Sequence, residues 1–151
     1  MKTITNLALT LALTASVAFA NDHMTQIAAE ARELASDYKK MTITLKDKNF
    51  PERELQEELK AAENELEKIE GHMMEFSAAA LTLTPAQSKD WKLAQDLVQL
   101  LDIFHGRKSV LLEGGDPHKK RSAILAEAQA LLTRANTLAD VAKRLSAIPT
   151  S

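Results

Sequence analysis

The chain has 151 residues, a formal net charge of −2 and no cysteine. The missing cysteine excludes disulfides, lipoprotein attachment, covalent c-type haem and thiolate metal sites together. A slightly acidic chain with only four Phe, one Tyr and one Trp offers neither a basic stripe nor an aromatic stacking face, which argues against nucleic acid as a partner.

Lys2 opens the chain, an uncharged run follows from Thr3 to Phe19, and Ala18-Phe19-Ala20 gives the small-residue pattern that a signal peptidase reads. The expectation is a cleaved signal peptide over residues 1–20 and one domain over 21–151, periplasmic or secreted. The leader holds one Lys and no acid, so the mature part carries 18 basic and 21 acidic residues, a net charge of −3. No second long apolar run follows, so no membrane span is expected in the mature chain.

Four amphipathic stretches then appear in order, predicting helices over about 22–46, 51–81, 85–112 and 117–146. The first seam is Met24, Ile27, Ala31, Leu34, Tyr38, Met41, Leu45, and the second is Leu55, Leu59, Ala62, Leu66, Ile69, Met73, Phe76, Ala80. The third reads Leu93, Leu97, Leu100, Phe104, Leu111, with the seam skipping near His105-Gly106, and the fourth reads Ile124, Ala128, Leu131, Ala135, Leu138, Ala142, Leu145. Pro51, Pro85 and Pro117 stand where first helical turns belong, because a proline there gives up an N–H that has no helical partner. Thr84-Pro85-Ala86-Gln87 is a capping box, Asp116 a cap for the fourth helix, and Gly114-Gly115 a stop for the third.

Short connections make successive helices antiparallel, so the fold class is all-α, an up-down-up-down antiparallel four-helix bundle. The proline spacing resembles that of tetratricopeptide units, but the second seam keeps phase through Gly71, so each period holds one long helix. Matching levels across the turns gives four core layers: Leu34, Ala62, Phe104, Ile124; Ala31, Leu66, Leu100, Ala128; Ile27, Ile69, Leu97, Leu131; and Met24, Met73, Leu93, Ala135. No His, Glu or Asp enters them, which pushes chemistry toward the two ends and leaves no di-iron carboxylate set. No nucleophile, base and oxyanion donor come together either, so no enzyme is expected.

At one end, cleavage after Ala20 frees an amine on Asn21-Asp22-His23. That amine, two deprotonated amides and the imidazole form a square-planar nitrogen set suited to Cu(II) or Ni(II). Met24 shares a layer with Met73, and His72 and Met74 flank the latter, so Asn21, Asp22, His23, Met24, His72, Met73 and Met74 make a candidate copper region. The signal, the all-helical mature chain and Met24 near the start of the first helix resemble the small exported four-helix b-type cytochromes. That resemblance implies haem ligated by Met24; the fourth helix offers no His after His118, and His72 would have to supply the second ligand.

At the other end, Lys119, Lys120 and Arg121 fill the expected first turn of the fourth helix, with Arg107 and Lys108 facing them, a patch for an anion or an acidic partner. A third feature is apolar: Phe76, Leu83, Trp91, Leu138 and Leu145 lie where helices two and four extend past the mature start of helix one, an open end for a partner helix, a lipid chain or a second copy. Leu83-Thr84-Pro85-Ala86-Gln87 also resembles the Leu-Thr-x-x-Gln motif of exported stress chaperones. The expected role is a non-enzymatic binding or envelope-stress accessory protein, monomer or dimer, for an unknown protein or small ligand. Copper binding is its sharp form; a haem electron carrier and a pure interaction module are the alternatives.

Overall fold

The computed structural model describes the backbone of residues 2–79, 83–113 and 116–146, with side chains over 22–76, 83–106 and 116–146. Four helices follow in order, α1 (Lys2–Thr44), α2 (Glu52–Ala79), α3 (Pro85–Glu113) and α4 (Arg121–Leu145). They form an all-α bundle in which α1 lies between α2 and α4, diagonal to α3. α3 packs chiefly against α4 and meets α2 only sparsely.

The hairpins are antiparallel, as the connections require. His23 of α1 reaches Glu75 near the end of α2 while Thr44 reaches Glu58 near its start. Phe76 of α2 meets Trp91 of α3, and Asp90 of α3 meets Arg144 in the last turn of α4.

Local chemistry sets the boundaries. Thr84 and Gln87 form the reciprocal capping box, with the Thr84 N–H donating to Gln87 Oε1 at 2.9 Å and the Gln87 N–H donating to Thr84 Oγ1 at 3.2 Å. A cap of this kind is worth about 1 kcal/mol. α2 passes unbroken through Gly71, where an added Cβ would meet nothing within 4 Å. Gly114-Gly115 lies outside the described residues. Among the described residues no helix is long and apolar enough to cross a membrane.

Two boundaries differ from expectation. α1 begins at Lys2 instead of about residue 22, because the segment before it is rich in Ala and Leu and is itself helix-forming. α4 begins at Arg121 instead of 117. Residues 116–120 form a tighter turn in which Lys119 and Lys120 donate to the carbonyls of Asp116 and Pro117, three residues back. Asp116 still caps, its carboxylate accepting from the His118 N–H at 3.0 Å, but it caps this turn. Lys119 and Lys120 therefore precede the α-helix and do not fill its first turn.

The seams of α1 and α4 are buried at every predicted position, and so is that of α2 from Leu55 to Phe76. Ala80 lies outside the described side chains. α3 is rotated. Leu93 and Leu100 stay 39% and 43% exposed, whereas Ala94, Val98, Leu101 and His105 enter the core with Leu97 and Phe104. The physical reason is that α3 is apolar at 97, 98, 100, 101, 103 and 104, so two overlapping three-four stripes compete. The stripe that wins brings Trp91 onto the Phe76 ring at 4.6 Å and His105 onto the Tyr38 hydroxyl at 2.8 Å.

Candidate metal centre

α1 and α2 bring two histidines together at the leader end of the bundle. His23 is buried at 7% exposure, and His72, beside Gly71, is half-buried. Their Nδ1 atoms stand 3.0 Å apart, with ring centroids 5.2 Å apart and planes tilted by 46°. The outer nitrogens each meet a carboxylate: His23 Nε2 lies 3.0 Å from Glu75 Oε2, and His72 Nε2 lies 3.2 Å from Glu30 Oε1.

This crossing follows from helix periodicity. Glu30 stands two turns after His23 on the same side of α1, and Glu75 stands one turn after His72 on α2. The antiparallel pairing then sets each imidazole against the other helix's carboxylate. One ligand atom from each of His23, His72 and Glu75 lies within 4.8 Å of the other two, which is metal-ligand spacing. Glu30 is mostly buried, and burial pushes its carboxyl above the usual range, aided by Glu65 and opposed by His72.

The sulfur candidates do not converge as a set. Met24 and Met73 are core residues at 1% and 7% exposure, while Met74 points outward at 76%. Asp22 is exposed, and the side chain of Asn21 lies outside the described residues. The His23 imidazole turns toward α2, so an amine-amide chelate with residues 21 and 22 would have to withdraw it from His72 and Glu75. His72, the second haem ligand implied by the resemblance, is committed to His23 and Glu30.

The opposite end is built differently. Arg121 donates to the Leu45 carbonyl at 2.9 Å, so it satisfies the frayed C-terminus of α1. His118 donates from Nε2 to the Phe50 carbonyl at 2.9 Å, packs its ring 4.5 Å from that of Phe50, and sets Nδ1 3.0 Å from Asp116 Oδ1 and 3.7 Å from Glu52 Oε1. Hydrogen bonding to the Phe50 carbonyl and to Asp116 raises the His118 pKa, and the His118 bonds lower that of Asp116. Arg121 and His118 thus tie the α3–α4 turn to the α1–α2 turn. Lys119 is exposed and Lys120 half-buried, and the side chains of Arg107 and Lys108 lie outside the described residues.

The expected apolar end is covered in the full chain. Phe76, Leu138 and Leu145 are buried, and Leu83 and Trp91 are partly buried against the core. Beside it the Arg144 guanidinium grips Asp90 through two bonds of 3.1 and 3.0 Å.

One polar pair was not anticipated. Tyr38 and His105 bond at 2.8 Å inside the bundle, where no histidine was expected. Burial, followed by the nearby Asp37, pushes the Tyr38 hydroxyl above its ordinary pKa, so it is a neutral partner. A tyrosine on a core seam signals a hydroxyl that needs a partner, and His105 lies on the α3 stripe of Ala94, Val98 and Leu101. No protein-family model, curated protein or solved structure matches this chain.

Proposed function

We propose that this chain is an exported, non-enzymatic helical-bundle protein that binds a transition-metal ion between His23 and His72, copper being the first candidate. The observation that carries the reading is the pair of Nδ1 atoms facing each other at 3.0 Å, with a carboxylate beside each outer nitrogen. Imidazole nitrogens suit Cu(II), Ni(II) and Zn(II), and sites for such ions in helical bundles are built from side chains on facing helices. Export rests on the leader sequence, and an envelope-stress accessory role is the wider class in which such a site fits.

The test is calorimetric titration of the purified protein with Cu(II) and Zn(II), alongside His72→Ala and His23→Ala. One equivalent bound by the parent protein and lost in both variants supports an inter-helix site. A His72→Ala variant that binds like the parent assigns the copper to the amine chelate of Asn21, Asp22 and His23, because that chelate does not use His72. No binding in any form ends the metal reading.

A second reading has its own observation. Leu93, Leu100 and Ile103 form an exposed apolar strip on α3, with the last at 44% exposure, which favours a pure interaction module. It predicts that His23→Ala changes nothing while Leu100→Asp loses a partner in pull-down from the native envelope.

A further inference from the structure

The geometry points to both histidines binding the ion through Nδ1, with Glu75 and Glu30 acting as positioning residues that hold the rings and never touch the metal. This inference rests on the metal-binding reading above and concerns which atoms do the work.

The bracing is crossed. His23 belongs to α1 and its Nε2 is held by Glu75 of α2; His72 belongs to α2 and its Nε2 is held by Glu30 of α1. A carboxylate accepts, so the His72 Nε2 that bonds Glu30 at 3.2 Å carries the ring proton, and the Glu75 carboxylate 3.0 Å from His23 Nε2 favours a proton on that nitrogen as well. A neutral ring with its proton on Nε2 has a bare lone pair on Nδ1. Two such lone pairs 3.0 Å apart repel, so the pair either shares a proton on the line between them or holds an ion in front of both. Metal-ligating histidines characteristically donate their other N–H to a carboxylate in this way, which fixes the tautomer and makes the ligand nitrogen more basic.

Nδ1 and Nε2 diverge on an imidazole ring, so an ion taken up by the two Nδ1 atoms leaves each Nε2 beside its carboxylate, the position from which Glu75 and Glu30 brace the rings. Glu30 has a further mark of dedication: its second oxygen is buried and makes no hydrogen bond among the described residues. Its other oxygen is committed to His72.

The separation also bears on the ion. With metal–nitrogen bonds of about 2.0–2.1 Å, two nitrogens 3.0 Å apart subtend an angle of about 90–100° at the metal. That is the cis edge of a square-planar or tetragonal ion, whereas a tetrahedral ion needs the nitrogens near about 3.3 Å.

The experiment uses the full-length mature protein, its Glu30→Gln and Glu75→Gln variants and the double variant. Affinity for Cu(II) is measured by competition with a chelator. Tautomers are read from long-range proton–nitrogen correlation spectra of the protein loaded with diamagnetic Zn(II). Each single variant should retain one Cu(II) and bind it about 10–100-fold more weakly. The spectra should show Nδ1 of both rings ligated and Nε2 of both protonated, with Glu30→Gln loosening that assignment at His72 and Glu75→Gln at His23.

A purely structural role for the two acids would move the melting temperature and leave the tautomers alone, which would overturn the inference. So would Nε2 ligation of either ring, or variants that bind as the parent does. Those results leave the inter-helix metal reading standing. A parent protein that takes up no Cu(II) or Zn(II) overturns both.

Discussion

The two ends of this bundle use the same residue types to opposite effect. At the leader end, His23 and His72 turn their Nδ1 atoms toward each other and their Nε2 atoms toward carboxylates. At the loop end, His118 spends Nε2 on the Phe50 carbonyl and Nδ1 on Asp116. A ring with both nitrogens on acceptors is complete as a doubly protonated latch. A pair of rings whose inner nitrogens face each other at 3.0 Å can share a proton or present both nitrogens to one ion. A histidine beside acids therefore does not by itself mark a metal site; what the second ring nitrogen meets decides.

The comparison breaks most visibly through metal-linked stability. An ion that binds only the folded chain stabilises it by about 2.7 kcal/mol at a free concentration one hundred times its dissociation constant, roughly 5–10 °C in melting temperature for a domain of this size. With Cu(II) held at that excess, the parent protein and His118→Ala should both gain this shift, and His72→Ala should not. Loss of the shift in His118→Ala would move the site to the loop end and reverse the assignment of the two ends.

A third histidine sharpens the contrast from inside the core. His105 bonds the Tyr38 hydroxyl at 2.8 Å and packs edge-on against Phe104, and the contact is buried. Tyr38→Phe removes the partner of a buried nitrogen and should cost about 1–3 kcal/mol in urea denaturation. Tyr38→Phe combined with His105→Leu should recover most of that loss, because replacing both partners with apolar groups leaves less unsatisfied. If Tyr38→Phe is as stable as the parent, the pair contributes nothing and the core would tolerate the polar atoms unpaired.

Three helices were legible because their stripes are unambiguous. Along α1, for example, polar residues flank Met24, Ile27, Ala31 and Leu34 so closely that only one face can be buried. That register also sets Met24 level with Met73, which brings their neighbours His23 and His72 into one region. α3 was not legible, since its two stripes share Leu97 and Phe104 and differ by a single position. Choosing between them required knowing that Trp91 and His105 find partners on α2 and α1. Glu30 and Glu75 escaped notice for a related reason: each holds a ring from the opposite helix, a relation that no spacing within one helix displays. The structural use of Arg121 was equally invisible, since nothing in Lys119-Lys120-Arg121 tells that one side chain reaches back to the Leu45 carbonyl.

The smallest expected effect tests the loop end by pH. His118 has a folded-state pKa raised above 6.5 by its bonds to the Phe50 carbonyl and to Asp116. The folded state therefore binds the proton more tightly than the unfolded chain does. The resulting stability is fully present below about pH 6.5 and is lost as pH rises through the folded value. Asp116 runs the other way, with a lowered pKa, so its share is present above 3.8 and lost as pH falls through its folded value. Glu30, Asp37, Glu58 and Glu70 have carboxyl pKa values raised by burial, so the parent protein also loses stability as pH climbs through their folded values. Comparing His118→Gln with the parent subtracts that background. The stability difference between the two, from urea denaturation at about pH 6 and about pH 9, should be larger at the lower pH and shrink at the higher. All the groups around the ring are partly exposed, so the effect is modest and weakened by salt. A difference that stays constant with pH would mean that His118 latches the two turns by its packing on Phe50 alone, and a difference that grows would mean that the ring is bound neutral.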